Sequence, residues 1–254
     1  MKRPAQALLL ALTGIGLLHA ALFTDLYLRY VKEGLRPLLI ISGAVLLLLG
    51  LAGALRDGKH AERTERTERA EEAEHAGHAH GHDHSRVPGV AWLLFFPALS
   101  LLLYAPPALG AYTAARSNDK AVKEQKAFDP LPATSPLPMT LTDFTARVQQ
   151  DHDRAIKGRT VRMTGFATPA AHGGGWYLTR IIFTCCAADS QTVKVRMYGT
   201  EAPPANTWLA VTGIWHPRGA LGTRTAEAAL DVRSAERVAP PVNAYTDDLP
   251  LVPS

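Results

Sequence analysis

The sequence predicts a membrane-anchored protein: three N-terminal transmembrane helices, then a small all-β domain of OB-like barrel type with a short preceding helix. Three observations lead there. Apolar stretches without acidic, lysine or arginine residues recur at Pro4–Thr24, Pro37–Leu55 and Val87–Ala115. The chain beyond Arg116 is polar and mixed in charge, and it carries five short runs rich in Val, Ile, Thr and aromatics. Roughly 20 apolar residues at about 1.5 Å each match a hydrocarbon core of about 30 Å. Each stretch is therefore expected to span a bilayer, at 4–24, 37–55 and 88–111 of an anchor covering residues 1–115.

The first span follows Lys2 and Arg3 and ends near His19-Ala20-Ala21, a pattern shared with cleavable signal peptides. Further apolar stretches follow, so it is expected to be retained. Gly14, Gly16, Gly43, Gly50 and Gly53 supply small faces for close helix contact. His19 is the one ionisable residue in these spans. A transporter needs buried polar groups for its cargo, so the anchor does not read as a complete permease. Basic residues flank the spans almost evenly on both sides, and the positive-inside rule decides little. A short basic N-terminus normally stays inside, which places the C-terminal domain outside a multi-pass protein of the cytoplasmic membrane.

The loop at 56–86 holds two patterns. Glu62-Arg63-Thr64-Glu65-Arg66-Thr67-Glu68-Arg69 pairs opposite charges at i,i+4 and lacks an apolar face, predicting a solvated helical extension of the second span. Beyond it lie His75, His78, His80, His82 and His84 among Gly77, Gly81 and Asp83. Neutral imidazole is a good ligand for zinc, copper and nickel, and alternate spacing lets several rings reach one ion. This run resembles the histidine-rich cytoplasmic loops of zinc transporters. The competing reading is a low-complexity tract without a cellular role.

Residues 116–139 read as a linker, with Pro130, Pro132, Pro136 and Pro138 favouring extended geometry. The domain at 140–240 opens on a short amphipathic helix, with Thr142 or Asp143 as cap and Phe144 and Val148 on one side. Strands are expected at Thr160–Ala167, Gly175–Cys186, Thr192–Gly199, Thr207–Trp215 and Leu230–Val238. In the third, Val193, Val195 and Met197 alternate with Lys194 and Arg196. Antiparallel pairing of these five suggests the barrel. Residues 241–254 form a tail.

The two cysteines, Cys185 and Cys186, are adjacent, which excludes a disulfide framework. Consecutive strand residues point to opposite faces. Joint chelation by both thiols therefore requires the strand to end here, and Asp189-Ser190-Gln191 can end it. Three readings compete: small buried hydrophobes at a strand end, a thiolate metal site completed by Asp189 or His216, and a redox switch. No acid, base and nucleophile can be assembled, so an enzyme is not expected. Trp176, Tyr177, Tyr198, Trp208 and Trp215 could stack on bases, but an outward-facing tethered domain rarely meets nucleic acid, and none is expected as partner.

A Gly-x-x-Val-x-x-x-Gly-Phe strand (Gly158, Val161, Gly165, Phe166), the Cys-Cys-x-Ala-Asp element (Cys185–Asp189) and a Trp-x-x-Val-x-Gly strand (Trp208, Val211, Gly213) resemble the YcgQ-type bacterial membrane proteins. Members of that group are described as permease subunits encoded beside a larger multi-span permease. The resemblance implies such a partner, besides the lipid bilayer, and implies no reaction or substrate; the histidine run is not part of it. The expected function is an accessory, non-catalytic permease subunit whose cargo or cofactor is zinc or another divalent transition metal, bound by His75, His78, His80, His82, His84, Cys185, Cys186 and Asp189. The alternative is a stand-alone, membrane-anchored metal or thiol-redox sensor.

Overall fold

Two helices of opposite chain direction come first. A computed structural model describes residues 3–71, 108–117, 122–170 and 175–249. They divide into two compact units: one drawn from Met1–Tyr27 with Gly34–Pro107, the other from Leu28–Glu33 with Ala108–Ser254.

The first unit contains helices α1 (Arg3–Leu22) and α2 (Arg36–Glu71). They meet along a seam of small residues. A methyl group added at Gly14 would lie 2.7 Å from the carbonyl oxygen of Gly43, and one at Gly50 would lie 2.7 Å from the Ala11 nitrogen. Backbones this close leave room only for glycine. Gly53 faces Ala7, whereas Gly16 meets nothing within 4 Å and does not line the seam. Away from the seam Leu8, Leu12, Leu48 and Leu55 are exposed, Leu55 to 69%. Water-soluble proteins rarely expose so continuous an apolar surface, and it fits membrane association.

The expected three transmembrane helices are not supported by the described residues. Among the described residues one helix, Glu33–Arg56, is long and apolar enough to cross a bilayer, with 24 residues. The apolar part of α1 is the shorter run Gln6–Leu22. At 1.5 Å per residue it rises only about 25 Å, against a core of about 30 Å. The third expected span lies outside the described residues up to 107. Its last residues, 108–111, belong to the second unit, and of them Ala111 begins the short helix α3 (Ala111–Arg116). There Ala111 and Ala114 are buried with Phe166, Ile181 and Phe183, a packing that small side chains permit.

The second unit is built on strands β1 (Leu137–Pro138), β2 (Val161–Pro169), β3 (Trp176–Ile182), β4 (Gln191–Tyr198), β5 (Trp208–Trp215) and β6 (Ala229–Arg237). Five of these fall close to the expected positions. The expected five-stranded, all-antiparallel OB-like barrel is nevertheless replaced by a six-stranded mixed sheet of order β1-β2-β3-β4-β6-β5, with β2 also paired to β5. Two pairings are parallel: β1 with β2, and β4 with β6, where Arg196 meets Ala229. The sixth strand, β1, arises because Leu137 and Met139 donate their N–H groups to the carbonyls of Thr160 and Arg162. The parallel β4–β6 contact joins strands that are distant in sequence, which local alternation does not encode.

The core lies between the sheet and helix α4 (Leu141–Gln150). Leu141, Phe144 and Val148 are fully buried on one side of α4, against Trp176, Leu178, Val195 and Met197. Each contributes about 1.5–3 kcal/mol by leaving water. Thr140, not Thr142 or Asp143, caps α4: its hydroxyl accepts the Asp143 N–H at 2.9 Å. The Asp247 carboxylate accepts the next two orphan donors, Leu141 N–H at 3.2 Å and Thr142 N–H at 2.7 Å. A second small cluster joins Phe166, Ile181 and Phe183 to Tyr245, whose ring stacks on Phe183 at 4.3 Å. The C-terminal stretch through Asp247 is thus part of this unit's packing.

Candidate metal and thiol site

Strand β3 stops at Ile182, four residues before the expected end, because the amides of the next four residues turn to other acceptors. The N–H of Phe183 turns to the carbonyl of Tyr245 at 3.1 Å. The next three amides all turn to one carboxylate. Asp189 Oδ1 accepts from Thr184 N–H at 3.0 Å and from Cys186 N–H at 3.2 Å, and Oδ2 accepts from Cys185 N–H at 2.7 Å. Amides that leave a ladder need other acceptors, and Asp189 serves three from a single turn of 3₁₀ helix, Ala187–Asp189.

This turn brings the thiols together. The Sγ atoms of Cys185 and Cys186 lie 3.7 Å apart, Cys185 exposed and Cys186 half-buried, and both are free. With a carboxylate oxygen of Asp189 they form a set whose ligand atoms all lie within 4.8 Å of one another, a group that can hold a metal ion. It is the one such group of His, Cys, Asp and Glu among the described residues.

Electrostatics follow from the same contacts. The hydrogen bond to the Asp189 carboxylate, helped by the neighbouring Cys186 thiol, pushes the Cys185 thiol up to about 11. In return the Cys185 thiol, together with the backbone amides of Cys185, Cys186 and Thr184, holds the Asp189 carboxyl below its usual range. At neutral pH Cys185 is thus a protonated thiol beside an ionised carboxylate. Such a thiol is a slow nucleophile, while a metal ion can still displace its proton.

The site has a contributor from far away in sequence. Residues 28–33, in chain order between α1 and α2, belong to the second unit. Val31 forms an antiparallel bridge with Cys186. On either side, Lys32 N–H donates to the Cys185 carbonyl at 3.0 Å, and Ala187 N–H donates to the Tyr30 carbonyl at 2.8 Å. The dithiol is therefore flanked by a two-bond strand pairing. Sequence reasoning missed it, although Arg29-Tyr30-Val31-Lys32 places two good strand formers between charges in the gap separating the apolar stretches.

Of the expected ligands, Cys185, Cys186 and Asp189 converge. His216 does not join them; its Nδ1 meets Asp231 Oδ1 at 2.7 Å, and its ring stacks on Tyr198 at 4.1 Å. His75, His78, His80, His82 and His84 lie outside the described residues.

A paired-thiol turn beside a mixed six-stranded sheet, in a chain that also carries two apolar helices, is compatible with a membrane-associated protein. The family model of the DUF1980 C-terminal domain matches residues 116–246, just over half of the chain, and the protein belongs to this family of bacterial membrane-associated proteins. No curated protein and no solved structure matches the chain.

Proposed function

We propose that this protein is a non-enzymatic accessory subunit that captures a thiophilic divalent cation, zinc foremost, at Cys185, Cys186 and Asp189 and passes it to a multi-span membrane permease. The observation that carries this reading is the Sγ–Sγ separation of 3.7 Å beside the Asp189 carboxylate. Two thiolates on one tetrahedral zinc, each at about 2.3 Å, stand about 3.8 Å apart. The pair is thus close to chelating geometry before any ion arrives. Three ligands leave one position open, which suits a cargo that must depart again.

The proton on Cys185 points the same way. Zinc has to displace it, which lowers affinity at neutral pH and favours exchange over storage. The resemblance of the Cys185–Asp189 element to the YcgQ-type proteins supports a permease partner. The outward apolar surface of α1 and α2 offers that partner, or lipid, a place to pack. On this reading the paired thiols face the extracytoplasmic side, and the histidine run supplies a second, more labile site.

A thiol-redox sensor is the second reading, favoured by the free and accessible pair. A vicinal disulfide must close 3.7 Å to about 2.05 Å, and the high thiol pKa slows oxidation.

The test uses the full-length chain in detergent with His75, His78, His80, His82 and His84 replaced by Asn. Competition with a chromogenic chelator should give about one zinc per chain, lost on Cys185→Ser/Cys186→Ser. Zinc binding that survives the double substitution would remove the site. Affinity purification of the tagged chain from bacterial membranes should also recover a multi-span protein; the chain alone would remove the partner.

A further inference from the structure

The dithiol and the segment that joins the two apolar helices share one piece of backbone. Cys185 contributes its thiol to the candidate site and its carbonyl to Lys32 N–H. Cys186 contributes its thiol and forms the bridge with Val31. Ala187, the next residue, donates to Tyr30 and also begins the turn that positions Asp189. No rotation of the Cys185–Cys186 peptide can change one set of contacts without the other.

We propose that occupancy of the dithiol by a divalent metal is read by residues 28–33, and through them by the covalent link between α1 and α2. This deepens the cargo reading above and rests on it. Chelation fixes both thiols on one side of the backbone and so fixes the φ/ψ angles of Cys185 and Cys186, the latter now at −152° and 176°. Fixing them immobilises the carbonyl that Lys32 uses and the amide that Tyr30 accepts. The pairing then opens less often, so its amides exchange more slowly. Linkage makes the effect mutual: whatever stabilises the 28–33 pairing tightens metal binding by the same factor.

The segment is suited to such a role. Its pairing with the thiol turn is a single bridge with two backbone bonds, shorter than any ladder of the antiparallel strands, and so short a pairing opens more readily than a full ladder. Its ends lead directly into the chain of α1 and α2, so a change in its pairing is a change in the restraint on that connection. For a subunit that hands over an ion, this supplies a way for a loaded site to alter its membrane-associated part.

Hydrogen–deuterium exchange of the full-length chain in detergent, with the histidine run replaced by Asn, tests the idea with zinc as the probe. Saturating zinc should slow exchange at Lys32 and Ala187 about tenfold and slow tryptic cleavage after Arg29 and Lys32, with no effect in Cys185→Ser/Cys186→Ser. Lys32→Pro removes one donor while keeping residue 31 extended, and it should weaken zinc binding about tenfold. Zinc bound at the thiols with unchanged exchange and an unchanged Lys32→Pro affinity would overturn the coupling and leave the cargo reading intact. Failure of the chain to bind zinc at the thiols would overturn both.

Discussion

Asp189 Oδ2 accepts the backbone N–H of Cys185 at 2.7 Å, so the residue that ends strand β3 also governs the thiol it exposes. One carboxylate provides acceptors for three amides and an acceptor for the Cys185 S–H. Chain direction and thiol ionisation are thereby set by a single side chain.

Asp189→Asn should make Cys185 react faster. Removing the negative charge lets the thiol fall from about 11 towards its ordinary value. The thiolate fraction near pH 7.5 would rise by up to about a hundredfold, partly offset by lower intrinsic nucleophilicity, for a net gain of up to roughly tenfold. Maleimide labelling of a Cys186→Ser background, with and without Asp189→Asn, measures it. No acceleration would separate the carboxylate from the thiol's ionisation.

Metal affinity should climb steeply with pH. A group with a raised pKa keeps its proton until pH passes that pKa, so zinc must displace one proton from Cys185 throughout the neutral range. Each proton displaced is worth about tenfold in apparent affinity per pH unit. Chelator competition at pH 7, 8, 9 and 10 should show at least about a tenfold rise per pH unit that persists to pH 10. Levelling near pH 9 would indicate an ordinary thiol.

The helix seam gives a paired prediction. Gly50→Leu places side-chain carbon against the Ala11 nitrogen and the Ala7 carbonyl, 2.7 and 2.8 Å from its Cβ, whereas the Cβ of Gly16→Leu meets nothing within 4 Å. Overpacking of this kind costs about 1–3 kcal/mol or separates the helices. Thermal unfolding in detergent should drop clearly for Gly50→Leu and hardly move for Gly16→Leu.

Asp247→Ala should destabilise the second unit by roughly 3–5 kcal/mol. Arg180 is buried, desolvation pulls its pKa down, and Asp247 lies 3.9 Å from its Nε while also accepting the first two amides of α4. Losing Asp247 leaves the buried Arg180 with the weaker influence of Asp248 alone and deprives the Leu141 and Thr142 amides of their acceptor, while Thr140 still caps the helix. Thermal unfolding followed by circular dichroism reads the loss, and a shift no larger than that of an exposed control such as Asp153→Ala would show that the pair contributes little.

The strands were legible because alternation is local: Val193, Val195 and Met197 are buried, whereas Lys194, Arg196 and Tyr198 are only partly so. The convergence of Cys185, Cys186 and Asp189 was legible too, since three residues of one turn are close by connectivity. Pairings between remote segments were not. Nothing in the Leu137 or Leu230 neighbourhoods specifies a parallel partner, and the 28–33 pairing links residues more than 150 positions from the thiols they flank. Apolar content alone likewise overestimated the spans: among the described residues Glu33–Arg56 is long enough to cross a bilayer, whereas the apolar run of α1, Gln6–Leu22, is shorter.

The central claim is that Cys185 and Cys186 bind one divalent ion together, and cobalt(II) tests it most directly because thiolate ligands give it a near-ultraviolet charge-transfer band. The full-length chain lacking the histidine run should take up about one cobalt with that band, displaced by zinc and abolished by Cys185→Ser/Cys186→Ser. Cobalt bound with no thiolate band, or a band untouched by the double substitution, would contradict the account.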